Sequence, residues 1–176
     1  MRRTLTIGLA AAAALAAAAV ASAAPAPSPT YQMAGFQAGF QQASTTTTSF
    51  AGAAIGSAGD RGRWQASIGH DPLSACAAVG ASCAITGGTF ALSSNNGSSI
   101  TGDVTGGNVV LTSQAPGCGR QQFAVSASLS TTNGPEALTA TLSLIRFQFR
   151  GTCTTLLALV QGSLAPDSSG GGGGTL

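Results

Sequence analysis

The stretch that decides the fold is a ten-residue phrase written twice. Residues 85–94 read ITGGTFALSS, and residues 104–113, nineteen positions further on, read VTGGNVVLTS. The turn-forming residues Asn95-Asn96-Gly97 lie between the two copies. Alternating apolar and polar residues separated by Asn and Gly are typical of antiparallel hairpins. The repeat therefore predicts a β-meander, and with it an all-β fold.

The spacing of the apolar residues predicts the register of the first hairpin. Side chains alternate along a strand, so Phe90 and Leu92 share one face. A two-residue turn would set Leu92 opposite Thr101 and would place the apolar rows of the two strands on opposite faces. A three-residue loop, Asn95-Asn96-Gly97 with its glycine in the left-handed region, sets Leu92 opposite Ile100 instead. We therefore predict the three-residue loop.

The second copy of the phrase predicts a second hairpin, with a tight turn at Gly106-Gly107 that sets Val104 opposite Val109. Alternation and apolar runs place further strands outside the meander, at residues 50–55, 64–68, 123–129, 138–149 and 153–160. The apolar parity changes between Leu144 and Ile145, which predicts a β-bulge or a passage between sheets. About eight short strands with regular turns indicate an antiparallel meander that closes as a small barrel or a two-sheet sandwich.

The two ends of the chain have the composition of targeting and linker segments. Arg2 and Arg3 precede an Ala/Leu-rich run and a small-residue cleavage site near Ala23, which predicts a secretory signal peptide over residues 1–23. Residues 24–48 are predicted to be a disordered low-complexity linker, in which a repeated Ala-Gly-Phe-Gln unit is a candidate self-association segment. The β domain is predicted to span residues 49–165, and residues 166–176 a disordered Ser/Gly tail. We therefore expect a protein that is secreted, extracellular or in the periplasm or cell envelope, without membrane insertion after cleavage.

Cleavage of the signal peptide changes the net charge. The full chain carries +2, and without Arg2 and Arg3 it has five basic and five acidic residues, a net charge of zero. A neutral chain has no excess positive charge to attract nucleic acid or an anionic membrane. Neither is expected as a partner.

The four cysteines of an exported chain predict two disulfides. Three pairings exist, and Cys76 with Cys83 and Cys118 with Cys153 is favoured because the first pair is close in sequence. On the chain-entropy model the short loop contributes roughly 2.5 kcal/mol and the long one roughly 4 kcal/mol. A single histidine and the absence of a Cys-x-x-Cys spacing argue against a metal site. No cofactor is expected.

Candidate catalytic residues are few. His70, the only histidine, stands before Asp71-Pro72 and far from any Gly-x-Ser-x-Gly elbow, which the sequence lacks. We expect it to be an exposed loop residue. The carboxylates that could form a glycosidase pair all lie in or beside predicted turns, where solvation explains them: Asp60, Asp71, Asp103 and Glu136. The sequence therefore predicts a protein without catalytic activity.

Two features are candidate binding sites. Arg146, Gln148 and Arg150 form a row opposite an apolar face, and guanidinium groups in a row suit a carboxylate, a sulfate or a sugar. The alternative is a solvated face that keeps the strand from pairing wrongly. Trp64 could stack on a sugar, and the alternative there is a core residue.

The strand that begins Gly62-Arg63-Trp64 and the meander after it loosely resemble the start of small ligand-binding barrels such as avidins and lipocalins. The resemblance implies a barrel with a cavity at one end. If the protein binds a small ligand, we expect a cavity lined by Trp64, Phe90, Phe147 and Phe149. We expect a secreted non-catalytic binding module for a small apolar ligand or an extracellular partner protein. The alternatives are a structural or self-assembling protein of the cell surface or extracellular matrix, and a protease inhibitor that acts through the Cys76 to Cys83 loop.

Overall fold

The computed structural model describes residues 29–37 and 46–168. They form eight strands, β1 (Tyr31–Gln37), β2 (Thr47–Gly56), β3 (Arg61–His70), β4 (Ser82–Ser94), β5 (Ser99–Gln114), β6 (Gln121–Thr131), β7 (Gly134–Phe149) and β8 (Thr152–Pro166), with a 3₁₀ helix, Leu73–Cys76, between β3 and β4. Each strand pairs with the next in antiparallel fashion, and β8 pairs with β1, so the sheet closes into a barrel. The predicted all-β antiparallel barrel is confirmed, and the sandwich alternative is wrong.

The hairpin between β4 and β5 has the predicted three-residue loop. Leu92 pairs with Ile100, and both side chains are buried. The backbone N–H of Ser94 donates to the Ser98 carbonyl at 2.9 Å across the loop. Gly97 has a φ of 87°, in the left-handed region that this loop requires of its last residue. Local turn chemistry and the spacing of apolar residues were sufficient to predict this register.

The turn predicted at Gly106-Gly107 is wrong, because β5 continues through both glycines. Ile85 pairs with Gly107 and Gly88 pairs with Val104, so the two Thr-Gly-Gly phrases lie opposite each other in adjacent strands. A Cβ on Gly107 would lie 2.1 Å from the carbonyl oxygen of Ser126, and its φ of 145° lies where L side chains are strained. Glycines at such positions bend a strand so that a small barrel can close. Here they curve β5 without ending it.

The predicted linker contributes a strand. Residues 31–37 form β1, and β2 begins at Thr47, so the barrel begins inside the range 24–48 and before the predicted domain boundary at residue 49. β1 pairs with both β2 and β8 and thereby closes the barrel. The predicted number of strands, about eight, agrees with the structure, but the strands are not the same ones. The prediction divides β5 into two strands and omits β1.

The structure has a β-bulge next to the parity change between Leu144 and Ile145, which is one of the two predicted alternatives. Ile145 pairs with Leu157 whereas Arg146 pairs with Thr155, so Leu156 of β8 is the extra residue. Leu144 is buried. Phe147, beyond the bulge, is 40% exposed. The hairpin of β7 and β8 therefore extends past the barrel core at this end.

Both predicted disulfides are present, Cys76 to Cys83 and Cys118 to Cys153. The first closes the loop after the 3₁₀ helix, and the second ties the connection between β5 and β6 to the extended hairpin of β7 and β8. Two disulfides indicate an oxidising environment, extracellular or periplasmic.

Several predictions fall outside the described residues. These are the signal peptide over residues 1–23, the second Ala-Gly-Phe-Gln unit at residues 38–41 and the tail beyond residue 168. Within the part of the chain that the structure describes, no helix is long and apolar enough to cross a membrane.

Candidate functional site

The interior of the barrel contains a cavity of about 70 Å³. Its lining comes from seven of the eight strands, β2 to β8, because inward side chains alternate with outward ones along every strand. Most of these side chains are aliphatic or aromatic, among them Phe50, Trp64 and Val125. Within the described residues, the polar side chains of the lining are those of Thr48 and His70. The cavity is therefore an apolar space with one polar corner.

Trp64 forms part of the cavity wall and is buried. Its indole N–H donates to the backbone carbonyls of Ala34 at 3.2 Å and Ala53 at 3.1 Å. Gly35, Gly52 and Trp64 are lateral neighbours on β1, β2 and β3, and the absent side chain of Gly35 leaves room for the ring. A ligand bound in this cavity would therefore contact the Trp64 ring from inside the barrel.

The polar corner is a hydrogen-bonded pair. Thr48 Oγ1 lies 2.7 Å from Nε2 of His70, and Nδ1 of His70 lies 2.7 Å from the backbone carbonyl oxygen of Asp71. A carbonyl oxygen only accepts hydrogen bonds, so Nδ1 must carry a proton. In the neutral ring Nε2 is then the acceptor, and the Thr48 hydroxyl donates to it. Both side chains are buried, at 3% and 7% exposure.

The expectation that His70 is an exposed loop residue is wrong. β3 continues to His70, whose backbone N–H donates to the Thr46 carbonyl at 2.8 Å. The sequence held a signal for this position, because His70 continues the inward series of Trp64, Ala66 and Ile68. The strand predicted at residues 64–68 therefore ends two residues before the observed one.

The loop closed by the Cys76 to Cys83 disulfide lies at this end of the barrel. Both cysteines are fully buried, and Cys83 lines the cavity. Gly80 N–H donates to the Leu111 carbonyl at 2.8 Å, and Leu111 N–H donates to the Ala81 carbonyl at 3.1 Å. These bonds hold the loop against β5, and Cys83 places the disulfide at the wall of the cavity.

A buried carboxyl group lies near the other end of the barrel. Glu136 occupies an inward position of β7, between Leu129 of β6 and Pro166 of β8, and is 2% exposed. Neither of its carboxyl oxygens has a hydrogen-bond partner among the described residues. Burial raises the pKa of this carboxyl group, because an unpaired charge is poorly solvated there. The expectation of a solvated turn residue is wrong for Glu136.

Tyr31 lies at the same end as Glu136 and is also buried. Its hydroxyl donates to Oδ2 of Asp60 at 3.5 Å. Burial, and secondarily the nearby Asp60 carboxylate, raise the pKa of the Tyr31 hydroxyl.

No protein-family model, curated protein or solved structure matches this chain.

The other predicted binding residues lie away from the cavity. Arg146 and Gln148 are on β7 beyond the bulge, where they pair with Thr155 and Cys153. Arg150 follows the end of β7 and adopts a φ of 50° in the turn, so the three residues do not share one strand. None of the three lines the cavity with Trp64.

Of the described side chains in the predicted aromatic lining, Trp64 lines the cavity, and Phe90 and Phe147 do not. Phe90 stacks on Trp64 with ring centroids 6.4 Å apart, and Phe147 lies on the exposed hairpin. The side chain of Phe149 is outside the described part. No group of three or more His, Cys, Asp or Glu side chains that could hold a metal ion occurs among residues 29–37 and 46–168.

Proposed function

We propose that this protein is a secreted, non-catalytic module that binds a small apolar ligand inside its barrel. The observation that carries the proposal is the cavity of about 70 Å³ with its mainly apolar lining. Apolar cavities of this kind stay dry and take up small apolar molecules, and one of about 150 Å³ binds benzene or xenon. The ligand class is therefore a molecule of a few heavy atoms.

The size of the cavity also limits the affinity. The best small ligands gain at most about 1.5 kcal/mol per non-hydrogen atom. A ligand of about four such atoms then binds with at most about 6 kcal/mol, a Kd on the order of tens of micromolar. Binding assays should cover the micromolar to millimolar range.

The Thr48 hydroxyl, the His70 ring and the Asp71 carbonyl are arranged like a nucleophile, a base and the group that orients the base. Acyl transfer also needs hydrogen-bond donors for the oxyanion that develops. Within the described residues, the rest of the cavity lining consists of apolar side chains and the disulfide-bonded Cys83. We therefore assign the pair to ligand binding and stability rather than to catalysis.

Xenon tests the cavity, because it has no polar group and fits a small apolar space. Trp64 is the only tryptophan, so its emission and its indole NMR signal report on the cavity wall. We expect xenon pressure to shift the signals of Trp64 and Val125. Ala127→Leu, which fills the cavity, should abolish the shifts, and Ala124→Leu, on the exposed face of the same strand, should leave them unchanged. Wild-type signals that do not respond to xenon would remove the proposal.

Self-association is a second candidate function, supported by an exposed apolar patch. Phe36 of β1 and Leu159 of β8 are lateral neighbours on the outside of the barrel, 53% and 39% exposed. Sedimentation velocity over a wide concentration range tests it. If the patch assembles, Phe36→Ser lowers the association state and Gln32→Ser, exposed on the same strand, does not. A monomer at all concentrations would eliminate this candidate.

Protease inhibition is a third candidate, supported by the disulfide-closed loop. Val79 lies in this loop and is 63% exposed, as a side chain presented to a protease must be. A panel of secreted proteases titrated with the protein tests it, and the absence of inhibition at stoichiometric excess would eliminate it.

A further inference from the structure

We propose, on the basis of the binding function above, that the cavity selects ligands that carry a hydrogen-bond donor, small aliphatic alcohols, and that their hydroxyl group binds to Thr48. The inference follows from the hydrogen bonds that Thr48 and His70 already make. Thr48 and His70 are the polar side chains of the lining within the described residues, so the ligand's polar group meets one of these two.

The first step concerns His70. Its Nδ1 proton is donated to the Asp71 carbonyl at 2.7 Å, outside the cavity lining. Its Nε2 lone pair is occupied by the Thr48 hydroxyl at 2.7 Å. A neutral imidazole has one donor and one acceptor, so His70 has no hydrogen-bonding capacity left for a ligand.

The second step concerns Thr48. A hydroxyl group has one proton and two acceptor lone pairs. The proton is committed to His70, so the oxygen can still accept but cannot donate. The polar corner therefore offers a ligand an acceptor and no donor.

The third step is the consequence for selectivity. An alcohol O–H can donate to Thr48 Oγ1. An ether oxygen has no proton to donate, so its lone pairs would lie against the lone pairs of Thr48 Oγ1, which is unfavourable. A net hydrogen bond in a protein contributes about 1 kcal/mol, which is about a fivefold difference in affinity. Because the other lining residues are apolar, the carbon chain of the alcohol lies against them.

The experiment compares 1-propanol with methoxyethane, two isomers of the same composition that differ in whether the oxygen can donate. Binding is followed by the NMR signals of Trp64 and Val125 at about pH 8. We expect wild-type protein to bind 1-propanol about fivefold more tightly than methoxyethane. The double variant Thr48→Val/His70→Phe, which removes both the Thr48 hydroxyl and the Nε2 acceptor that Thr48→Val alone would free, should abolish this preference. Thr48→Ser, which keeps the hydroxyl, and Thr47→Val, on the outside of β2, should retain it.

A second measurement uses only wild-type protein, so it stands even if the double variant does not fold. Intermolecular NOEs should connect the Thr48 methyl group to the carbinol methylene of 1-propanol more strongly than to its terminal methyl group. NOEs of the opposite order would overturn the assignment to Thr48.

Xenon separates this inference from the proposed function. If xenon binds but the two isomers bind equally, the cavity is a binding site and the inference about alcohols is wrong. A preference for 1-propanol that survives in the folded double variant Thr48→Val/His70→Phe also overturns it. If neither xenon nor either isomer binds, both proposals fail.

Discussion

The ring of Trp64 lies so close to the backbone of Gly35 that a Cβ at Gly35 would be only 2.7 Å from Cζ2 of the indole. This contact ties β3 to β1 across β2. The indole N–H strengthens it by donating to the carbonyls of Ala34 and Ala53. A glycine of β1 thus sets the position of the aromatic wall of the cavity.

A Cβ at Gly35 would also lie 2.5 Å from the backbone carbonyl oxygen of Ala51. We therefore expect Gly35→Ala to displace the indole, to strain this backbone contact and to lower the free energy of unfolding by about 1 to 3 kcal/mol, the usual cost of overpacking a core. Urea denaturation measures the loss, and a red shift of the tryptophan emission reports the displaced ring. Ala34→Ser, at the exposed neighbouring position, is the control and should change neither quantity. Wild-type stability and emission in Gly35→Ala would show that the ring tolerates a methyl group there.

Glu136 should make stability depend on pH. Burial holds the pKa of its carboxyl group above the ordinary 4.5, so the folded chain binds the proton more tightly than the unfolded chain does. The free energy of unfolding is then highest below the ordinary pKa and falls as the pH rises through the raised pKa of the folded state. Urea titrations at a series of pH values between about 4 and 8 measure this slope.

We expect Glu136→Met to remove the pH-dependent loss and to raise stability at neutral pH by about 1 to 3 kcal/mol, since the variant leaves no unpaired buried oxygen. Asp103→Asn, at an exposed position on β5, is the matched control and should leave the slope in place. If Glu136→Met is less stable than wild type at neutral pH, the carboxylate has a stabilising partner.

The hydrogen bond between Thr48 and His70 should stabilise the barrel. Thr48→Val leaves Nε2 of the buried His70 without a partner, which costs about 1 to 3 kcal/mol. Thr47→Val, exposed on the same strand, should change stability by less than about 0.5 kcal/mol. Equal unfolding midpoints of the two variants in urea would contradict a stabilising role for the pair.

The two disulfides should differ in their resistance to reduction. Cys153 is exposed, whereas Cys76 and Cys83 are fully buried. We expect dithiothreitol under native conditions to reduce the bond between Cys118 and Cys153 first, because thiolate attack requires access to sulfur. Alkylation followed by peptide mass spectrometry identifies the bond that opens, and early labelling of Cys76 would contradict the prediction.

Loss of the bond between Cys118 and Cys153 should also cost more stability, because its sequence separation is 35 residues against 7 for the other. On the chain-entropy model the costs are roughly 4 and roughly 2.5 kcal/mol. Paired Cys→Ala variants of each bond, unfolded in urea, measure the difference. A larger loss for the short loop would show that packing of the buried sulfurs outweighs chain entropy.

Several parts of the fold could be predicted from the sequence because they depend on near neighbours. The loop at Asn95 to Gly97 follows from turn chemistry and from the match of Leu92 with Ile100. The pairing of Cys76 with Cys83 follows from their short separation. The strand around Phe123 follows from strict alternation, and the bulge after Leu144 from a change in it.

The candidate site was largely missed, because its polar residues resemble surface residues in the sequence. His70 and Glu136 stand beside turn signals, and short-range rules place polar residues there in solvent. The strand containing Tyr31 was missed because glycine and alanine suggest a linker. Those small residues become informative only when the ring of Trp64 is known to cover Gly35.

The sequence by itself determined the all-β class, the inward parity of most strands and the two disulfides, since alternation, turn residues and cysteine spacing act over short distances. Only the tertiary structure decided that β1 closes the barrel, that β5 passes through Gly106-Gly107 without turning, and that Thr48 meets His70 inside a cavity. The physical reason is closure. When the first strand pairs with the last, residues far apart in the chain share one enclosed interior, and the hydrogen bonding and solvation of each depend on neighbours that no local pattern specifies.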